Sequence, residues 1–342
     1  MKTSFTIGTR IIGVGHAVFV IAEIGINHGG NPQMCAHMIE AAAASGADAV
    51  KLQTIDADAN YVKGTASHSA FKGKEFDDKT LIKMMQLAND LGIVLFSTPG
   101  DFEDLDRIVR LGMPAVKISS GLMTNLPLVA RAAASGLPLI ISTGLAYAEE
   151  IDAVVETAFR RGASGVSLLK CTALYPSPDN SINLAAIPTM AARYGVPIGY
   201  SDHTLDDLAC IGAVAQGATV IEKHFTLDRK LTGADHYISM EPDDLSTMVH
   251  KIRRLEAMKG SDLICATAAE LAVREMRHRC LIAKVDISIG DQFTETNVGL
   301  MRPLAGRLGL PAARFEDILG IKAKMAILQN DPIRECHLGD RQ

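Results

Sequence analysis

Eight short runs of Val, Ile, Leu and Ala recur along the chain, at 18–25, 49–54, 93–98, 115–120, 138–143, 166–172, 197–202 and 220–226. Their hydrophobicity is continuous rather than alternating, which requires burial on both faces and so marks strands of a parallel sheet. Between them lie Ala/Leu-rich segments with helical spacing, such as 34–45, 81–90, 126–135, 149–161 and 205–216. Many end at a glycine, at positions 46, 92, 136, 162 and 217, as helices that terminate in a left-handed cap do. Eight strand–helix alternations over about 250 residues predict a (β/α)8 TIM barrel. A doubly wound sheet is the rival, and the count of eight together with a polar residue at nearly every strand's C-terminal end favours the barrel.

The flanks do not fit a ninth unit. Positions 1–17 have β character around a Gly-rich turn and predict an N-terminal hairpin that plugs the bottom of a barrel spanning 18–258. A linker with one short helix is expected at 259–278. Residues 279–342 carry short strand-like pieces at 280–285, 289–293 and 322–327, the pattern of a small β-rich domain. A chain of 342 residues exceeds the size at which single cores usually stop growing, so a barrel plus an appended domain is consistent.

The composition excludes several classes of function. With a formal charge of -5 and no Lys/Arg-rich run, nothing points to nucleic acid. No apolar run reaches 18 residues and the N-terminus lacks a leader's apolar core, so neither a membrane span nor secretion is expected. The six cysteines are scattered without a CxxC pair, as in a reducing cytoplasmic setting.

The chemistry collects at the strand ends, where a barrel keeps its site. They present Glu23 with Asn27 and His28, Lys51 with Gln53, Ser97 with Thr98, and Lys117 with Ser119 and Ser120. Ser142 with Thr143, Lys170 with Thr172 and Tyr175, Ser201 with His203, and Glu222 with Lys223 and His224 complete the set. Lys51 and Lys117 lie inside apolar runs, where an unpaired ammonium is costly. With the neighbouring hydroxyls they suggest a pocket for a phosphorylated anion. Lys170 and Lys223 are evenly balanced between the pocket and the outer helices. His203 and His224, on adjacent strand ends beside Glu23 and Asp202, suit an open divalent-metal site, although each histidine could instead cap its own strand. Imidazole with oxygen donors favours manganese, iron or zinc over calcium.

Taken together, Phe19-Val-Ile-Ala-Glu-Ile-Gly-Ile-Asn-His28, Phe96-Ser-Thr-Pro99, Lys117-Ile118, Ile140-Ile-Ser-Thr-Gly144, Cys171-Thr172 with Tyr175-Pro176, Tyr200-Ser-Asp-His-Thr204, Ile221-Glu-Lys-His-Phe-Thr-Leu-Asp228 and Gly233-Ala-Asp-His236 resemble the sialic acid synthases. That family includes the N-acetylneuraminate, legionaminate and pseudaminate synthases, and the similarity runs the whole chain in order. Met301-Arg-Pro303 and Ile318-Leu-Gly-Ile321 are similar to its antifreeze-like (SAF) domain. The resemblance implies a metal-dependent condensation of phosphoenolpyruvate with an open-chain N-acyl amino-sugar aldehyde, giving a nonulosonic acid and phosphate. It implies that His203 and His224 hold the metal, manganese first, with magnesium or cobalt as alternatives. Lys51, Thr98, Lys117, Ser120, Ser142 and Ser201 would bind phosphoenolpyruvate, and Glu23 would manage a proton or a substrate hydroxyl. Gln53, Tyr175 and Asp235 would contact the sugar, and Lys51, Lys117 and Asp235 would join Glu23 as catalytic residues. It further implies a domain-swapped homodimer, in which Arg302 of one subunit reaches the other's site.

The chain also departs from the family's pattern. Leu122 stands where an acidic residue is usual, Ala173 where asparagine is common, Lys170 for a histidine and Gly100 for a phenylalanine. The anion and metal positions survive while the sugar side has changed, which implies an altered acceptor. Two other readings remain: a metal-independent aldolase forming a Schiff base on Lys51, Lys117 or Lys170, and a non-catalytic carbohydrate-binding relative.

Overall fold

The computed structural model describes residues 3–233 and 235–340. The chain divides into two compact units, Met1–Gly260 and Ser261–Gln342. The first begins with an antiparallel hairpin of β1 (Ser4–Ile7) and β2 (Arg10–Gly13). Eight parallel strands follow: β3 (Phe19–Gly25), β4 (Ala49–Thr54), β5 (Val94–Pro99), β6 (Val116–Ile118), β7 (Leu139–Ser142), β8 (Val166–Cys171), β9 (Ile198–Asp202) and β10 (Val220–His224). They pair in sequence, and β10 closes on β3 to complete the barrel. All eight expected runs are strands. The run at 115–120 is the most shortened, because Ser119 to Leu122 turn tightly, with the Leu122 N–H bonded to the Ser119 carbonyl at 3.0 Å.

Helices lie between the strands, and Pro32–Ala44 shows how the sequence starts them. The Asn31 side chain accepts from the free N–H groups of Gln33 and Met34, and Pro32 opens the first turn, where its missing donor costs nothing. The outward faces of the strands pack on these helices: Val20, Ala22 and Ile24 of β3 share one core with Met38 and Ile39 of that helix.

The inward faces are layered. At the N-terminal end Phe19, Ile21, Ala49, Phe96, Ala115, Ile140, Leu169 and Val220 form an apolar floor. Phe5, Ile7 and Ile12 of the hairpin pack onto it, so the hairpin plugs the barrel. Gly165, just before β8, makes room for this plug: a Cβ there would stand 2.2 Å from Phe5 Cγ.

The second unit holds the helix Ala268–Arg277 and an antiparallel pair, β11 (Cys280–Ala283) and β12 (Val298–Met301). Leu281, Ile287, Phe293, Val298, Ile318, Ile327 and Ile333 make its own core. The expected strands at 289–293 and 322–327 are single bridges instead, Ile287 to Ile327 and Gln292 to Lys322. A turn interrupts the first, with the Asp291 N–H bonded to the Ser288 carbonyl and Gly290 in the left-handed region at φ 91°. Among the described residues, no helix is long and apolar enough to cross a membrane.

The plug gives a test. Gly165→Ala should destabilise the protein by about 1–3 kcal/mol through overpacking, measured by urea unfolding, and should cost far less in a Phe5→Ala background. Equal costs in both backgrounds would show that the two positions do not meet.

Candidate active site

The alternation that builds the apolar floor also builds the site above it. Side chains two residues apart share a face, so Ile21 is followed on the inner face by Glu23, Ala49 by Lys51 and Gln53, and Phe96 by Thr98. In the same way Ala115 is followed by Lys117, Ile140 by Ser142, Leu169 by Cys171, Gly199 by Ser201, and Val220 by Glu222 and His224. The second members of these pairs, from Glu23 to His224, line one cavity of about 610 Å³ at the C-terminal end of the barrel.

Its deepest feature is a buried ionic cluster. Lys51 Nζ lies 3.1 Å from Glu23 Oε2 and 3.5 Å from Glu222 Oε2, and donates to Thr98 Oγ1 at 3.2 Å. Lys117 Nζ donates to Ser142 Oγ at 2.7 Å and lies 3.4 Å from Glu222 Oε1. Ser201 donates its hydroxyl to Glu222 Oε1 at 2.9 Å, and the Gln53 amide donates to Glu23 Oε1 at 2.8 Å. Gly25 closes β3 with a φ of 56°, at a register shift between β3 and β4. A Cβ at that glycine would come within 3.2 Å of Glu23 Oε1 and 3.3 Å of Gln53 Nε2, so the bulge keeps this pair in place.

The four charged groups do not titrate alike. Burial raises the Glu23 carboxyl to about 7, with Lys51 opposing and Glu222 adding to the rise. Burial also works against ionised Glu222, but Lys117, Lys51 and the Ser201 hydroxyl together outweigh it and hold that carboxyl at about 2. Burial depresses both lysines; the carboxylates of Glu222 and Glu23 overcome this at Lys51, which stays above its usual range, but not at Lys117, which falls below. Glu222 is therefore the fixed anion of the cluster and Glu23 the group able to carry a proton near neutrality.

The histidines stand above this cluster. The His203 and His224 rings are 5.4 Å apart, and the Tyr175 ring packs 4.1 Å from His203 and 5.8 Å from His224. His203 Nδ1 is 2.8 Å from the Thr172 carbonyl, which can only accept, so the proton sits on Nδ1 and Nε2 keeps its lone pair. His224 Nδ1 is buried without a hydrogen-bond partner, 3.7 Å from Asp235 Oδ2. Asn27 holds the loop that carries Asp235: its Oδ1 accepts from the Asp235 N–H at 3.1 Å, and its amide donates to the Phe225 carbonyl and to Ser239 Oγ. Ser120 also lines the cavity, and its hydroxyl accepts from the Gly144 N–H at 3.0 Å.

Glu23, Lys51, Gln53, Thr98, Lys117, Ser120, Ser142, Tyr175, Ser201, His203, His224 and Asp235 thus share one cavity. Leu122, Ala173 and Gly100 are in its wall. Asp202 does not stand beside the histidines as expected: alternation turns it outward, where it is buried against Lys223. Lys170 also turns outward and donates to the Cys171 carbonyl and Thr172 Oγ1, in a separate cleft with Tyr147 and Arg193. Arg302 belongs to the second unit, directly after β12. Sequence reasoning missed the central role of Glu222, masked by its place in a continuous polar run. It also missed Asn60, Tyr61, Ser67 and Phe71, which reach the cavity from in and around the short helices Ala57–Asn60 and Ala66–Phe71, where no periodic pattern announces them.

A closed (β/α)8 barrel with cations, hydroxyls and a histidine pair converging at its C-terminal mouth has the architecture of an enzyme. Residues 38–263 match the NeuB family. The chain is 36% identical to the N,N'-diacetyllegionaminic acid synthase of Legionella pneumophila, covering 93% of this chain and 94% of that protein. It is 32% identical to the pseudaminic acid synthase of Campylobacter jejuni, over 93% of this chain and 96% of that protein. The crystal structure of the N-acetylneuraminic acid synthetase from Leptospira borgpetersenii superposes with a TM-score of 0.77 at 35% identity, covering 81% of this chain and 97% of that one. The chain belongs to the NeuB family, the sialic acid synthases.

His28, expected at the strand end, faces a different cavity and yields a pH test. It is buried, stacks on Phe76 at 4.1 Å and accepts from the Gly30 N–H at 3.0 Å. Burial, and then the Lys74 charge, push its pKa down from 6.5 to about 4. The unfolded chain takes up this proton first, so the stability contributed by neutral His28 is complete above pH 6.5 and is lost as pH falls to 4. The loss amounts to about 3 kcal/mol. Urea unfolding at about pH 7 and about pH 4.5, either side of most of this titration, should show a smaller acid loss in His28→Gln than in the wild type; identical losses would contradict this assignment.

Proposed function

We propose that this protein condenses phosphoenolpyruvate with an open-chain N-acyl amino-sugar aldehyde to form a nonulosonic acid and inorganic phosphate. The observation that carries this reading is the pair of buried ammonium groups, Lys51 and Lys117, set among the hydroxyls of Thr98, Ser142 and Ser201 in one cavity with two histidines. The relatives bear the names of legionaminic, pseudaminic and sialic acid synthases, which differ in their sugar, so the acceptor is left open within the class.

The reaction forms one C–C bond, and at C2 it exchanges the C–O bond to phosphate for a C–O bond to water's oxygen. C3 of the enol attacks the aldehyde carbon, the aldehyde oxygen takes a proton and becomes a hydroxyl, water adds at C2, and phosphate leaves. Lys51 and Lys117 hold the phosphate and carboxylate charges of phosphoenolpyruvate and offset the charge that shifts during bond formation. Glu23, able to carry a proton near neutrality, is the group to hand one to the aldehyde oxygen. Gln53, Tyr175 and Asp235 orient the sugar, and Ser120 adds a hydroxyl to the phosphoenolpyruvate side. Leu122 offers no acid, so any proton transfer made there in related enzymes falls to other groups here.

The donor set fits a divalent ion, manganese first. His224 Nδ1 is a buried nitrogen with no hydrogen-bond partner, the His203 proton is drawn to the Thr172 carbonyl, and a ring separation of 5.4 Å lets two nitrogens each approach one ion at about 2 Å. His203 and His224 would hold it, and the ion would supply Lewis-acid polarisation of the aldehyde. The same proposal includes a homodimer in which Arg302 of one subunit meets the sugar's acyl group in the other. A reducing cytoplasmic setting accords with six free cysteines.

The test is phosphate release from phosphoenolpyruvate and Mn2+ with a panel of 2-acetamido and 2,4-diacetamido hexoses. Release should require an aldehyde, stop with a chelator, and be lost together with bound Mn2+ in His203→Ala and His224→Ala. No release with any aldehyde despite bound metal would overturn the synthase reading. Borohydride trapping of a keto substrate on Lys51 or Lys117 would favour the Schiff-base aldolase instead.

A further inference from the structure

β9 and β10 end in three successive rungs of paired polar side chains. Ser201 is in register with Glu222 and Asp202 with Lys223, and His203 and His224 come one residue later on each chain. Alternation turns the first and third rungs into the cavity and the second out of it. On that outer face Lys223 Nζ meets Asp202 Oδ2 at 2.5 Å, with both side chains fully buried.

The contacts of this pair reach well beyond the two residues. Asp202 Oδ1 accepts from the Tyr200 hydroxyl at 2.9 Å and the Thr204 N–H at 3.0 Å. Its Oδ2 also accepts from the Thr204 hydroxyl at 2.8 Å and the Cys210 thiol at 3.4 Å. Lys223 Nζ donates in addition to the carbonyls of Thr204 and Asp206. The pair therefore joins β9, β10 and the loop that leaves His203.

Stability alone gives little reason to keep such a pair, because apolar residues of similar volume often replace a buried ion pair at no cost. Fixing one arrangement is what it does well. A slip of one residue between β9 and β10 would exchange the inner and outer rungs and strand both charges. We propose that Asp202 and Lys223 are a positioning pair that sets the spacing of His203 and His224, so that both address one divalent cation. This rests on the reading of those histidines as a cation site. Neither residue of the pair touches cation or substrate; both act through the backbone between the rungs.

The experiment compares the wild-type full chain with the double variant Asp202→Leu/Lys223→Met, which removes both charges together. Mn2+ alone is titrated with detection by electron paramagnetic resonance, and Co2+ is followed by its visible absorption. The double variant leaves the Tyr200 hydroxyl and the Thr204 N–H without their acceptor, so its thermal midpoint should fall; while folded it should keep unchanged affinity for inorganic phosphate and bind Mn2+ at least about tenfold more weakly, as happens when groups that orient metal ligands are lost. Unchanged Mn2+ affinity and Co2+ spectrum in a folded double variant overturn the proposal. A wild type that binds neither ion overturns the cation-site reading instead, and nitrogen-15 spectra of the imidazoles then decide the positioning role. Unchanged His203 and His224 resonances in the variant overturn it; shifted ones support it. If the double variant does not fold, Asp202→Asn, which keeps an acceptor for Tyr200 and Thr204, is read by the same measurements.

Discussion

Glu222 sits between Lys51 and Lys117, and the rest of the site depends on that contact. At separations of 3.4 and 3.5 Å each attraction is about 5 kcal/mol at an effective dielectric near 20, set against desolvation of several kcal/mol for every ion. The balance holds only while the whole cluster is present. Glu222 keeps two ammonium groups together in the barrel interior without substrate, and Lys117, with its pKa pulled down by burial, is the partner least compensated. In the proposed reaction, a phosphate or carboxylate of the substrate would supply the negative charge that this corner lacks.

The apolar floor and the ionic cluster are consecutive layers of one period-two pattern. Hairpin residues Phe5, Ile7 and Ile12 close the floor, which excludes water from below and makes the charges above it interact strongly. The same alternation separates functional from structural polar groups on neighbouring positions. Glu222 and His224 turn inward, while Lys223 between them turns outward to Asp202. Three adjacent polar residues thus divide between lining the cavity and holding the wall.

That division explains what is and is not legible in the sequence. Continuous apolar runs make all eight barrel strands legible, and the cost of burying an ammonium makes Lys51 and Lys117 stand out. Polar runs such as 222–224 hide which member faces the cavity, so nothing singles out Glu222, and Asp202 reads as a neighbour of the histidines when it faces away from them. Asn60, Tyr61, Ser67 and Phe71 belong to a segment of short helices whose position is set by tertiary packing rather than by any repeat. In the second unit, the strands expected at 289–293 and 322–327 shrink to single bridges because the Gly290 turn, invisible to hydrophobicity alone, breaks the ladder. The motifs supply the family; geometry supplies the reason these residues can act together.

Whether the paired lysines form the phosphoenolpyruvate cradle is tested most directly by titration calorimetry of phosphoenolpyruvate into the wild type and Lys117→Met. The expected result is binding to the wild type and at least about tenfold weaker binding to the folded variant, the loss that follows from removing one hydrogen bond between charged groups. Absence of binding to the wild type, or equal affinity in both proteins, would contradict the cradle.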